Sequence, residues 1–556
     1  MSQFSYQHNA TVRLPRSRFD LSYNHKTSLN VGELVPFMCK EVYPGDTFKV
    51  ESSFVARVTS SFIRPVMDDL FMDEMYFFVP NRVVDDNFVK IFGDTGKAWA
   101  SDASTYVAPQ VALPATCGKE FVGTLGDYFG ALAPGVNTSY AVNVSQYPFR
   151  AYAKIWNDWF RDENFEDEVD FAPSTPAGGW KLNADDFSPG NIFGKPAIVA
   201  KVHDRYTSAL PATQKGDAVK LPILASGRNA GFAPVTNHYF TSSELFIPTL
   251  YGQAGTTLPS NGILSAWAPS PGGNSILGVS TSTPSAVPTQ AASMSLGADL
   301  SKAIDSVSVN DLRFSFQLQK QLERMARGGS RYTEYVSAAF GVTSPDSRLQ
   351  RSEFLGGSRN PLSVQQVVQT SQATEASPLA SLGAFSLSAG KARFTKSFTE
   401  HGFVIGLACV RYYHTYQQGI DPSLRRFTRT SFYDPVFANI SEQPIYKTEL
   451  YAGADPASIF GYVEAWNDLR KSSNKISGAL RSGSGFNLDL WHFGDYYAAA
   501  PTLNAQFIHE YGANVMRTLS VEDTSVAPAF IVDFWNGIEA IRCMPTWSIP
   551  GLIDHH

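Results

Sequence analysis

Residues 47–58 read TFKVESSFVARV, and the alternation in this stretch restricts the fold more than any other feature of the chain. Phe48, Val50, Phe54, Ala56 and Val58 fall on one side. Lys49, Glu51, Ser53 and Arg57 fall on the other, with Val55 as the exception. A period of two sends successive side chains to opposite faces of an extended backbone, so the segment reads as a half-buried strand. The turn signal Tyr43-Pro44-Gly45-Asp46 precedes it. Residues 75–79, 403–413 and 530–544 carry further strand patterns. They lie far apart, so long connections must close the sheets, as in a Greek-key sandwich with expanded loops.

Helical patterns are fewer. Residues 311–327 place Phe314, Leu318, Leu322 and Met325 on one face, with Ser308 or Asn310 as a cap and Gly328-Gly329 as a stop. Residues 151–162, with Ile155 and Trp159 four apart, and residues 462–470 are read as two more helices in the connections.

One long stretch is almost without charge. Glu244 is the only formally charged residue between Arg228 and Asp299, in a background of Ser, Thr, Gly, Pro and Ala. A catalytic loop would carry convergent charge, and a disordered tail would carry fewer large apolar residues. The composition suits a surface insertion that packs against something, including copies of itself. The whole chain of 556 residues is 17% charged and 13% aromatic. A monomer of this size exposes on the order of 20,000 Å². So few charges cover that area poorly, which points to a multi-subunit assembly. The net charge of −6 argues against a surface that coats nucleic acid throughout, while leaving room for local basic patches.

Few motifs carry chemistry. Cys39, Cys117, Cys409 and Cys543 are far apart and have no metal spacing, so they read as reduced core or interface thiols. The N-terminal residues lack the apolar run of a signal peptide, and no apolar stretch is long enough to span a bilayer, so a soluble, cytosolically made chain without membrane insertion is expected. The GDTGK run at 93–97 has the wrong spacing for a phosphate loop. Ser472-x-x-Lys475 sits in a polar segment and reads as chance. The Asn-x-Ser/Thr sequons at Asn9, Asn137, Asn143 and Asn439 carry no meaning without secretion. The acidic run at 161–168 lacks the glycine and regular spacing of a calcium loop and reads as a solvated or subunit-facing charge run. No catalytic residue, metal site or cofactor is expected. Arg13, Arg16, Arg18 and Lys26 share the N-terminal segment with one acid, Asp20, and with Phe19 and Tyr23. Such a basic, aromatic arm suits either single-stranded nucleic acid or a neighbouring subunit. Arg425, Arg426 and Arg429 form a weaker cluster of the same kind.

A set of longer stretches is specific. These are EVYPGDTF (41–48), YFFVPNR (76–82), RAY (150–152), IWNDWFRD (155–162), TSALP (207–211) and QKG (214–216). NDLR (310–313), ARGGSRYTE (326–334), GVTSPD (341–346), TYQQG (415–419) and SIPGLIDH (548–555) follow in order. In these the chain resembles the major capsid proteins of the gokushoviruses, single-stranded DNA bacteriophages of the microvirus family. The resemblance implies a mainly β fold, an eight-stranded antiparallel jelly roll with large inter-strand insertions and a few helices. It implies a T=1 icosahedral shell of about sixty copies around a circular single-stranded DNA genome. It also implies an N-terminal basic arm at 1–30, a jelly-roll core at 31–220 and 309–556, and a variable surface insertion at 221–308. Three such insertions would meet as a threefold protrusion, packing Phe246, Trp267 and Leu277 and contributing to host attachment. Arg13, Arg16, Arg18 and Lys26 would face the genome or a small basic DNA-packaging protein. A minor pilot protein and a bacterial surface receptor are further implied partners, with assembly in the host bacterial cytoplasm and a final place in the virion.

Two other readings remain at the level of residues. One is a β-sandwich glycoside hydrolase with paired carboxylates such as Asp162 and Glu166. The other is a jelly-roll lectin that binds sugar through surface aromatics.

Overall fold

A computed structural model describes residues 15–93, 106–112, 121–131, 142–169, 194–217, 219, 263–266, 277–280, 309–368, 382–486 and 488–547. The chain divides into two compact units, one of residues 1–217 with 320–556 and one of residues 218–319.

The first unit is built on two antiparallel sheets. Their strands are β1 (Ser17–Asp20), β2 (Tyr23–Leu29), β3 (Val35–Val42), β4 (Thr47–Val58), β5 (Leu70–Pro80), β6 (Glu353–Leu362), β7 (Val364–Val368), β8 (Leu382–Ser397), β9 (Gly402–Tyr412) and β10 (Phe530–Arg542). One sheet has the order β10-β4-β8-β7, with β1 and β2 both on the free edge of β10; the other has the order β6-β5-β9-β3. From β2 to β10 the chain crosses repeatedly between the sheets, giving β2-β10-β4-β8 in one and β3-β9-β5-β6 in the other. This is the strand order of a jelly roll.

Two features go beyond the eight expected strands. The first is that β1 and β2 form a single lane. Asp20 faces Glu539 and Tyr23 faces Asn536, so the register is unbroken across the gap. In the gap Leu21 N donates to Ile538 O at 2.9 Å, and Ile538 N donates to Ser22 Oγ at 3.1 Å. The second is β7, which returns along β8 and extends the edge.

The alternation in β4 does what its pattern dictates. Phe48, Val50, Phe54 and Ala56 are buried between the sheets, and the polar set faces outward. Across the core Phe37 stacks on Phe534 with ring centroids 4.3 Å apart, and Phe54 lies 6.2 Å from Phe534. Each such buried ring contributes roughly 1.5–3 kcal/mol. Strands β5 and β9 are buried on both faces, hence their near-continuous apolar runs. Phe77, Val79, Ile405 and Leu407 look away from the sandwich into a second cluster with Phe149, Tyr152 and Ile155 of the helix Tyr147–Ile155.

That helix runs straight into a π-helical turn, Trp156–Phe160, within the expected 151–162. The helix expected at 311–327 spans Val309–Gly328 and ends at Gly329 in the left-handed region (φ +86°), but its apolar stripe is not a buried face, with Phe314 70% exposed. The helix expected at 462–470 is absent. A strand, Ile459–Val463, pairs there with Gln443–Tyr446, and Trp466 takes φ +60°, which stops any helix before the short 3-10 turn Asn467–Leu469.

Cys39, Cys409 and Cys543 are free thiols, and Cys117 lies outside the described residues. Burial pushes the Cys39 and Cys409 thiols up to about 12, so both are inert at neutral pH. Among the described residues no helix is long and apolar enough to cross a membrane.

Candidate functional surfaces

The N-terminal cations sit on an edge strand. Arg16 donates to Thr47 Oγ1 at 2.9 Å and to the Gly45 carbonyl. Arg18 pairs with Glu539 at 2.8 Å and Lys26 with Asp533 at 2.7 Å. Arg13 lies outside the described residues. The aromatic interleaving resolves into opposite faces, because residues of unlike parity point apart on a strand. Lys26 faces outward, while Tyr23 turns inward to pack against the core with Lys40 Nζ 4.1 Å from its ring. A base stacked on Tyr23 therefore does not share a face with Arg18 and Lys26.

Arg18 and Lys26 instead belong to the open face of the six-stranded sheet. Lys49 and Arg57 of β4 and Lys391 and Arg393 of β8 project from the same face. Lys391 lies 3.8 Å from Glu51. Trp535 of β10, 49% exposed, stands among them, and Gly537 beside it leaves a shallow groove bordered by Arg18, Lys49 and Lys391. Sequence reading missed this face because its members come from strands hundreds of residues apart.

The acidic run serves an internal purpose. Glu163 accepts the amides of Ser330 at 2.7 Å and Arg331 at 3.2 Å, just ahead of the helix Tyr332–Phe340. A carboxylate there complements the positive helix terminus. Glu166 pairs with His509 at 2.7 Å, and Arg161 with Glu168 at 3.1 Å. Asp162 caps the amide of Asn164 at 2.8 Å. The pair Asp162 and Glu166 is thus committed to local structure, not poised across a sugar-sized gap. Lys475 pairs with Asp421. Among the described residues no three His, Cys, Asp or Glu side chains converge as metal ligands would.

The long connection between β9 and β10 is fastened by buried charge. His414 Nδ1 lies 3.0 Å from Asp495 and its Nε2 lies 2.6 Å from Glu510, all three sealed from solvent. Burial alone would lower the imidazole's pKa. The two carboxylates more than reverse that and push it up to about 9. Arg205 pairs with Glu449 at 3.0 Å in a second buried bridge. Their partners are too far apart in sequence to be found by spacing. In the unit of residues 218–319, Ile263–Ala266 and Leu277–Ser280 form an antiparallel hairpin in which Leu277 faces Ala266. Phe246 and Trp267 lie outside the described residues.

A pocket lined by Tyr416, Asp421, Glu449, Ser472, Ser473 and Lys475 has its charges tied up in the pairs Lys475–Asp421 and Arg205–Glu449, whereas the sandwich, its long connections and its exposed apolar side chains suit a self-associating protein. Sequence comparison decides between these. The model of the phage capsid protein (F protein) family matches residues 8–552. The chain belongs to this capsid family. It is 38% identical to capsid protein VP1 of Spiroplasma virus 4, over 97% of this chain and 96% of that one. It is 35% identical to capsid protein VP1 of Chlamydia phage 1 and of Bdellovibrio phage phiMH2K, in each case over 99% of this chain and 98% of the relative. These relatives are structural proteins, so this member of the capsid family is a shell component and not an enzyme. The glycosidase and lectin readings end here.

Proposed function

We propose that about sixty copies of this capsid protein close a T=1 icosahedral shell around a circular single-stranded DNA genome. The similarity to capsid proteins over nearly the whole chain supports this reading, together with a jelly-roll sandwich whose connections leave large apolar side chains such as Phe427 and Val436 exposed. The segment 221–308 is read as the surface insertion, with Phe246, Trp267 and Leu277 packing around a threefold axis and its tip meeting the bacterial surface. The open face of the six-stranded sheet, with Arg16, Arg18 and Lys26 and the preceding Arg13, is read as the genome side. A chain of net charge −6 does not balance a genome alone. A small basic packaging protein therefore accompanies it, with a minor pilot protein in the virion. Assembly takes place in the host cytoplasm.

The test is electron microscopy of particles from cells carrying the whole phage genome. Closed T=1 particles that protect single-stranded DNA from nuclease are expected. Particles of another triangulation number, or shells that never contain DNA, would refute the corresponding part. Replacing 221–308 by a short Gly-Ser linker separates attachment from architecture. Shells that form but adsorb poorly support the attachment role; normal adsorption removes it.

A further inference from the structure

The connection between β9 and β10 displays an apolar patch that no described residue of the subunit covers. Within residues 420–440, Leu424 is 69% exposed, Phe427 82%, Phe432 55% and Val436 83%. Large apolar side chains exposed together in one segment mark an association site or an aggregation liability.

The backbone beneath the patch is fixed. The Asp421 and Asp434 carboxylates accept the amides of Ser423 and Val436 at 2.9 Å each. Arg425 donates to Pro456 O at 2.9 Å and lies 4.4 Å over the Tyr446 ring. Trp466 Nε1 donates to Phe437 O at 2.9 Å, and Tyr433 meets the Trp466 ring edge-on at 5.4 Å. Apolar tips on a pre-organised base lose little further entropy when they are covered.

Composition and charge indicate the occupant. The segment holds Phe427, Phe432, Phe437 and Tyr433 with Arg425, Arg426 and Arg429, and neither Lys nor Glu. Interfaces are enriched in aromatics and Arg and depleted in Lys and Glu. With the ion-pair partners Asp468 of Arg426 and Lys475 of Asp421 counted, Arg425, Arg426, Arg429 and Lys475 still outnumber Asp421, Asp434 and Asp468 by one, whereas the whole chain carries −6. A net-acidic copy of the same chain complements this local positive excess, and a small basic protein does not.

We propose that residues 420–440 form a contact between neighbouring subunits of the shell, with Phe427 and Val436 as anchors buried by a second copy of this chain. The assignment rests on the shell reading above. Two anchors lost from one interface weaken it far beyond tenfold, and every subunit repeats the defect.

The experiment introduces Phe427→Asp with Val436→Asp into the chain within the complete phage genome and measures particle yield on a sucrose gradient. The expected result is a loss of at least about tenfold, with soluble subunits of wild-type circular dichroism and unfolding midpoint. Wild-type yield from the double variant overturns the assignment. Normal yield of particles that lack another virion protein, or that fail to adsorb, also overturns it, because the occupant is then that other partner. If the variant subunit is unfolded, amide hydrogen exchange on the wild-type chain decides. Exchange across 420–440 slowed about tenfold or more in particles relative to dissociated subunits supports the contact. Equal exchange overturns it while leaving the shell reading intact. Failure of the wild-type genome to give any closed particle overturns the shell reading itself.

Discussion

The imidazole of His414 lies 2.6 Å from the carboxylate of Glu510, and neither side chain reaches solvent. With Asp495 on the other ring nitrogen, His414 is held protonated between two acids, and burial notwithstanding Asp495 is itself held down to about 2. The folded-state pKa of His414, about 9, lies above its ordinary 6.5. Its stabilisation is therefore fully present below pH 6.5 and lost as pH rises through 9. Denaturant unfolding of dissociated subunits between pH 6 and 10 should show this loss, and His414→Gln should flatten the curve in that window. At pH 6 the same substitution should cost about 3–5 kcal/mol, because it leaves buried carboxylates without their cation. A His414→Gln subunit as stable as wild type at pH 6 would refute the clamp.

Glu74 is the opposite case. It lies on β5 inside the sandwich, and neither carboxylate oxygen has a hydrogen-bond partner among the described residues. Desolvation raises its pKa from 4.5 to about 8. The folded state holds a proton that the unfolded state releases, so stability falls as pH climbs from 4.5 to 8 and levels off above. Glu74→Gln mimics the protonated form. It should match wild type near pH 4.5 and exceed it progressively up to pH 8, by up to about 1.4 kcal/mol per pH unit. A constant difference across that range would show that Glu74 does not titrate on unfolding.

These buried groups mark the limit of what the sequence makes legible. β4 was readable because one face is core and the other is open, so its polar and apolar residues alternate. β5 and β9 were readable as apolar runs, though being buried twice they carry no periodicity. Local rules failed where long-range pairing overrode them. Residues 462–470 have helical composition, yet Tyr462 and Val463 pair with Pro444 and Gln443 as strand neighbours, and Trp466 adopts a left-handed conformation while its ring nitrogen binds Phe437 O. The N-terminal segment looked like a free basic arm because its partners, Glu539 and Asp533, lie at the other end of the chain. The same distance hid His414, whose partners are Asp495 and Glu510. The family stretches were legible throughout, and they conveyed the function where no single residue did.

Gly32 ties the β2–β3 turn to the clamp. It sits at φ +83°, and a Cβ there would lie 1.7 Å from Glu510 O. Its amide donates to Val410 O at 2.9 Å and its carbonyl accepts from Val199 N at 2.8 Å, so the backbone has no room to retreat. Gly32→Ala combines a left-handed conformation with a hard backbone clash and should destabilise the subunit by about 3 kcal/mol or more. A free-energy loss below about 1 kcal/mol in denaturant unfolding would mean that the close approach relaxes easily.

The last expectation concerns the genome side. Each phosphate that a cation neutralises on single-stranded DNA contributes about 0.7 to the slope of log affinity against log salt. Changing Arg13, Arg16 and Arg18 together to alanine should then flatten the slope by about two units, without a change in sequence preference. In the free subunit Arg18 already pairs with Glu539, and Arg16 is engaged with Gly45 and Thr47. DNA must compete with those contacts, so a flattening of only about 0.7 units would mean that a single arginine of the three meets phosphate. Salt-dependent binding of a single-stranded oligonucleotide to dissociated subunits measures the slope, and particle yield is measured alongside. A triple variant that assembles normally and packages DNA poorly assigns the cations to the genome. One whose folded subunits fail to assemble even without DNA assigns the edge strand to a subunit interface instead, and an unchanged slope removes these arginines from the genome contact altogether.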